Sequence, residues 1–205
     1  DQMYKITLSN GDWHIVNSKH LVYFKRHYWY NNSDEYLTIS AEDLYKWKDL
    51  QGCYIQKANI NYPYKEVKID PYLLGLWLGD GDSRHISIAN EDKEVLGWLL
   101  NNYNGHLIDL KQSDTCKVFY IRTKELLYND FKYYNLFGNK HIPVDYIYNS
   151  PEIGLQLLAG LIDTDGNLSI KKHSMCFEIT QRYDRKHILD AAKAIATNLG
   201  LRCTT

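Results

Sequence analysis

The sequence predicts an α+β chain in which a β-rich leader precedes two copies of one helix-led unit. Three observations predict it. Leu73-Leu74-Gly75-Leu76-Trp77-Leu78-Gly79-Asp80-Gly81 and Leu158-Ala159-Gly160-Leu161-Ile162-Asp163-Thr164-Asp165-Gly166 repeat each other, and an internal repeat fixes architecture before any single motif does. Residues 1 to about 68 alternate apolar and polar side chains as strands do. After each repeated segment the pattern turns to strand and then to amphipathic helix.

In the leader, Tyr4-Lys5-Ile6-Thr7-Leu8 runs into Ser9-Asn10-Gly11-Asp12, a good hairpin turn. Trp13-His14-Ile15-Val16 and Leu21-Val22-Tyr23-Phe24 continue the alternation. Ala41 to Leu50 reads as a short helix with Ser40 as N-cap and Asp43 closing a capping box. The polar stretch around Pro63 reads as a linker. Asp70 and Pro71 then open a helix, as N-cap and first residue.

Aligned on glycine, Gly75 matches Gly160, Gly79 matches Thr164 and Asp80 matches Asp165. The small residues stand four apart, on one helix face, where they let two backbones approach closely. Each helix stops at a glycine. Packed side by side, the two helices bring Asp80 and Asp165 together. Two close carboxylates cannot both stay ionised cheaply, so they share a proton or a divalent cation. Mg²⁺ takes one or two carboxylates with waters and phosphate oxygens, which is equipment for phosphodiester cleavage.

Beyond Asp80, His85-Ile86-Ser87-Ile88-Ala89-Asn90 reads as a strand and Lys93 to about Tyr103 as a helix. Cys116 to Ile121 is a further strand and Lys124 to Tyr133 a further helix. Beyond Asp165, Cys176-Phe177-Glu178-Ile179-Thr180-Gln181 is a strand and about Arg185 to Asn198 a helix. Alternation puts Ile86, Ile88, Phe177 and Ile179 inside and His85, Ser87, Glu178, Thr180 and Arg182 on the opposite face. Asn90 matches Gln181, each closing its strand, although parity turns both inward. A twisted antiparallel sheet with that polar face suits a duplex, since a two-stranded ribbon enters the major groove.

Leu158 to Gly166 resembles the L-A-G-L-I-D-A-D-G motif of homing endonucleases, departing from it at Thr164. Leu73 to Gly81 resembles the first such motif of the endonucleases embedded in inteins. Gly138-Asn139-Lys140-His141-Ile142-Pro143 resembles the K-x-I-P segment that precedes the second motif there. The resemblance implies the LAGLIDADG endonuclease fold, two pseudo-symmetric αββαββα repeats over about 69–143 and 144–205, with the second truncated. It implies site-specific, metal-dependent cleavage of double-stranded DNA, with Mg²⁺ or Mn²⁺ at Asp80, Asp165 and the backbone of Gly79 and Thr164. Lys140 is then the active-site lysine, offsetting charge on the phosphate, with Asn90 and Gln181 assisting. Arg84, His85, Ser87, Lys171, Lys172, Glu178, Thr180 and Arg182 are expected to meet DNA. The implied state is a monomer with internal pseudo-two-fold symmetry.

Asn17-Ser18-Lys19-His20 resembles the T-x-x-H block of intein splicing domains, with Asn17 in the threonine's place. The resemblance makes 1–68 part of a Hint splicing segment and 69–205 the endonuclease. Asn17 and His20 are then splicing residues. No nucleophile stands at Asp1 and no terminal His-Asn pair at Thr205, so splicing by acyl shifts is not expected of the chain by itself. No counterpart of Lys140 or of the strand at 117–121 follows Asp165. The chain thus reads as an internal intein fragment, its partners the missing intein segments and the host-protein exteins.

The totals constrain the reading. The 205 residues are 44% hydrophobic and 24% charged, a globular composition. No apolar run approaches the about 20 residues that span a bilayer, and no leader pattern stands at the start. The four cysteines lack zinc spacing and read as reduced core residues of an intracellular protein, cytoplasmic or nuclear with its host. A net charge of −1 runs against the basic excess usual in nucleic-acid binders. An inactive DNA- or RNA-binding module of the same fold is therefore the alternative. A two-acid sugar hydrolase gives no reason for duplicated helices that each end in an acid.

Overall fold

Hairpin chemistry at Asn10-Gly11 is realised as read: β1 (Met3–Thr7) and β2 (Trp13–Asn17) pair antiparallel around Gly11 at φ +88°. β3 (Leu21–Tyr28) then lies between β4 (Ser33–Ser40) and β5 (Cys53–Ile55), antiparallel to both. The computed structural model describes residues 2–55, 59–103, 107–111, 117–121, 125–172 and 174–204, without the side chains of 107–111, 117–121, 125, 171 and 174. Cys116, Lys124, His173 and the Lys171 side chain lie outside the described part. Val22 and Phe24 share one face of β3 and are buried with Ala41, while Ile6, Leu37, Ile39, Leu44 and Trp47 pack around them. The N-cap forms, with Ser40 Oγ accepting from Asp43 N at 3.1 Å, while the Asp43 carboxylate accepts from the Ser40 hydroxyl at 2.7 Å. Helix α1 is only Ala41–Tyr45, because Lys46 N and Trp47 N turn to carbonyls three residues back.

The second unit is built on two apolar helices, α2 (Pro71–Asp80) and α6 (Pro151–Asp165), packed side by side. Asp70 caps α2 by accepting from Leu73 N at 3.0 Å, with Pro71 at its first position. After α2 come β6 (Ser87–Asn90), α3 (Lys93–Tyr103), β7 (Leu107–Lys111), β8 (Lys117–Ile121) and α4 (Glu125–Tyr133), the strands ordered β6-β8-β7 and antiparallel. A one-turn helix α5 (Val144–Ile147) leads to α6. Then follow the hairpin β9 (Gly166–Lys171) and β10 (Ser174–Ile179), a 3-10 turn and α7 (Lys186–Asn198). The core is one cluster in which Leu73, Leu76, Trp77, Ile88, Leu99, Phe131, Leu157, Leu161 and Ile188 are fully enclosed. No described helix is long and apolar enough to cross a membrane.

Contacts divide the chain into Asp1–Asn59 with Gly200–Thr205, and Ile60–Leu199. The division falls before residue 68, because the expected linker is a strap on the second unit. Lys65 N donates to Asn149 Oδ1 and Asn149 Nδ2 to Lys65 O, both at 2.9 Å. Tyr146 and Tyr134 hydroxyls hold the backbone of Ile69 and Lys68. The residues from Gly200 onward, read as endonuclease, belong with the N-terminal unit, so the second unit is an insertion within the first.

Other expectations are corrected. Ser87, placed on the outward face, is buried with Ile86 and Ile88. The short strand is covered on both sides because the 82–86 loop folds back on it, with Asp82 N bonded to Ser87 O and His85 O accepting from Trp77 Nε1 at 2.8 Å. Phe177, placed inside, is exposed, because no described element covers that side of β10. Cys176 is exposed rather than a core residue, since it stands on the polar face of β10.

Candidate active site

Glycine brings the two acids together. A Cβ on Gly75 would stand 2.9 Å from Gly160 Cα and collide with the Leu157 carbonyl. One on Gly160 would stand 2.8 Å from Leu76 N. At the end of the same seam a Cβ on Gly79 would strike Thr164 and stand 2.9 Å from Asp165 Oδ2. The backbones touch along this line, so both C-terminal carboxylates emerge at one place.

Each acid is held by an amide of its own repeat. Asn90 Nδ2 donates to Asp80 Oδ2 at 2.7 Å, and Asn90 Oδ1 accepts from Asp92 N at 2.7 Å. Gln181 Nε2 donates to Asp165 Oδ2. The backbone repeats the symmetry, since Gly81 bridges Ile88 as Gly166 pairs with Ile179. The inward parity that the strands predict for Asn90 and Gln181 is what turns their amides onto the motif acids. Burial pushes both carboxyls above their ordinary range, and the charge of Asp165 raises Asp80 further. The amides and Lys140 oppose that rise.

Lys140 is 6% exposed. Its Nζ donates to the carbonyls of Leu78 at 3.0 Å, Gly79 at 3.3 Å and Gly81 at 2.6 Å, and lies 5.0 Å from the Trp77 ring centroid. An ammonium has three protons, and here three carbonyls at the end of α2 take them. Burial, with Arg185 adding to it, lowers its pKa to about 8, against the pull of Asp165, Asp80 and Asp82. The lysine expected at a phosphate thus holds the end of the first motif helix, and one carbonyl expected at a metal, Gly79, accepts from it. His187 supports this loop through Nε2 and the Lys140 carbonyl at 2.7 Å.

Asp80 opens onto a cavity of about 530 Å³ lined also by Ala89, Asn90, Glu91, Asp92, Asp163 and Thr164, and Asp165 is not among its lining residues. Four of these are carboxylates, so the cleft attracts cations and repels phosphate. Asp163 was not singled out in the sequence. It accepts from Tyr72 Oη at 2.6 Å, and burial with that bond drives the phenol well above its usual range. The i, i+2 pair Asp163 and Asp165 was the available signal. Among the described residues no group of three or more His, Cys, Asp or Glu is placed to hold a metal. Two half-buried carboxylates alone still suit an ion that keeps most of its waters.

The expected DNA contacts are less gathered. Arg84 and Arg182 are exposed, but each lies against an aspartate, Asp82 at 3.5 Å and Asp184 at 3.1 Å. His85, Lys172, Glu178 and Thr180 are also exposed. Asn17, the last residue of β2, and His20, in the turn that leads to β3, are exposed, and His20 N bonds Asn17 O at 3.2 Å.

No known protein-family model matches the chain. Over 146 residues it is 32% identical to a protein described as replicative DNA helicase DnaB of Mycobacterium intracellulare, a match over 71% of this chain and 22% of that protein. The chain therefore spans under a quarter of the length of the relative it matches.

Proposed function

We propose that residues 60–199 form a LAGLIDADG-type, metal-dependent DNA endonuclease carried inside an intein splicing unit. The observation that carries this reading is the pair of glycine-packed helices with Asp80 and Asp165 at their shared end, each held by an amide of its own repeat. Asp80 and Asp165 would hold Mg²⁺ or Mn²⁺, which supplies Lewis acidity at the scissile phosphate. Asn90 and Gln181 orient the two carboxylates and share their charge. Thr164 keeps its hydroxyl on the helix, donating to Gly160 O at 2.9 Å, while Asp80 faces the cleft. Lys140 fixes the end of α2 and offsets the two acids. The carboxylate-lined cleft makes polyanion binding depend on a cation.

The exposed sheet residues Arg84, His85, Lys172, Glu178, Thr180 and Arg182 are the surface proposed to meet double-stranded DNA. Burial removes Ser87 from it. The insertion of the second unit between the two parts of the first supports the intein reading, with Asn17 and His20 as its splicing residues. A match to a limited part of a helicase is the pattern an intein lodged in a helicase gene would give. The test is cleavage of DNA carrying the uninterrupted helicase reading frame, with Mg²⁺ and without. Wild type is expected to cut both strands, and Asp80→Asn and Asp165→Asn to lose at least 100-fold in rate. A mobility shift without metal-dependent cleavage would sink the enzyme and leave a binding module.

A further inference from the structure

Lys140 leaves the two acids short of a cation for phosphate. Its three protons go to the carbonyls of Leu78, Gly79 and Gly81, and turning one to a substrate would free the end of α2. A phosphate that reacts beside two carboxylates needs positive charge against its own oxygens. The stretch after Gln181 supplies candidates.

That stretch is pinned at both ends. Gln181 Nε2 holds Asp165, and His187 Nε2 lies 2.7 Å from the Lys140 carbonyl. Between them the 3-10 turn Tyr183–Arg185 closes with Arg185 N donating to Arg182 O at 2.8 Å. Arg182 is paired with Asp184 at 3.1 Å, and Lys186 with Asp190 at 2.7 Å. Arg185 is partly buried, and among the described residues its guanidinium makes no hydrogen bond or ion pair. Its charge nonetheless reaches the site, favouring the anion at Asp165 and disfavouring the cation at Lys140.

The matching place in the first repeat carries the opposite charge. Setting Asn90 against Gln181 sets Glu94 against Arg185 and Glu91 against Arg182. Glu91, Asp92 and Glu94 are exposed, and the first two line the cleft at Asp80. A phosphate at Asp165 therefore meets a guanidinium, whose planar fork suits two phosphate oxygens. A phosphate at Asp80 meets carboxylates.

We propose that Arg185 binds the scissile phosphate addressed by Asp165, and that this strand is cut before the one addressed by Asp80. The proposal rests on the endonuclease reading and adds to it a substrate contact and an order of cutting. Each step stays a hydrolysis: water forms a new bond to phosphorus, the ester bond breaks, and water's proton passes to the leaving oxygen through solvent. Arg185 keeps its protons and holds the phosphate oxygens.

The test gives the full chain and Mg²⁺ a duplex carrying the uninterrupted helicase reading frame, with each strand labelled separately. Wild type is expected to accumulate duplex nicked in one strand. Arg185→Gln should slow that first cut by about tenfold or more, the scale of one charged hydrogen bond, and change the other strand far less. Arg185→Lys should recover part of the loss, which an arginine needed only for folding would not give. Glu94→Arg places the cation in the first repeat and should speed the second cut, shrinking the nicked population. Equal slowing of both strands by Arg185→Gln, or none, would overturn the proposal, as would a nicked population that Glu94→Arg leaves unchanged. No cleavage by wild type would sink the endonuclease reading itself, and this role with it.

Discussion

At the scale of the residue, Lys140 has two conflicting demands. Burial disfavours its charge, and the carbonyls of Leu78, Gly79 and Gly81 require its protons. These carbonyls end α2, where a cation also complements the helix dipole. Lys140→Ala leaves them without that donor and is expected to cost about 2 kcal/mol in urea unfolding. The pH dependence has a definite sign. Below about 8 both folded and unfolded chains hold the proton, so the burial penalty is fully present. Between about 8 and the ordinary lysine value of 10.5 the unfolded chain binds the extra proton, so the lysine's contribution to stability grows with pH. Wild type should therefore gain over Lys140→Ala from pH 8 to pH 9.5. A constant difference across that range would show that the lysine is not held with a depressed pKa. The sequence placed Lys140 near the acids, because the segment before the second motif must lie there. It could not show the three carbonyls, because a lysine's partners depend on where a helix end stops in space.

At the scale of the element, the seam between α2 and α6 carries the site. Its legibility was high, because small residues four apart have one strong packing use and the acids follow in register. Asn90 and Gln181 were legible for a related reason: each closes the strand that precedes a helix in its own repeat, although they stand 10 and 16 residues after their acids. Ser87 and Phe177 were misplaced, because alternation tells which side chains share a face and not what covers it. The seam has a sharp consequence. Gly160→Ala puts a methyl against the Tyr72 carbonyl and 3.0 Å from Gly75 Cα, both backbone atoms that cannot rotate away. The expected cost is about 3 kcal/mol, a fall in Tm on the order of 10 °C, with the acids pushed apart. Gly97, inside α3, has nothing within 4 Å of an added Cβ. Gly97→Ala should stabilise by up to about 1 kcal/mol through helix propensity. Calorimetry of the two variants separates close packing from propensity, and similar Tm shifts in both would contradict the seam.

For the whole molecule, the division into two units governs unfolding. The mixed α+β class and the order of most elements were readable because periods of 2 and 3.6 differ plainly. The boundary at 59 and the return at 200 were not, because both follow from contacts distant in sequence: Lys65 with Asn149, and Gly200 beside Asn59. The units have separate cores of unequal size. Among the described residues the first buries the apolar cluster Val22, Phe24 and Ala41, whereas the second encloses a cluster that runs from Ile69 to Ile195. Stability follows buried apolar area, so the first unit should melt at the lower temperature and the chain should show two transitions. Phe24 is 2% exposed and Leu76 fully buried, and truncating either to alanine costs about 3 kcal/mol. Phe24→Ala should lower only the first transition and Leu76→Ala only the second, because distant substitutions act independently. A single transition moved by both variants would mean that the two cores unfold as one cooperative body, and the insertion would then have lost its independence from the unit that carries it.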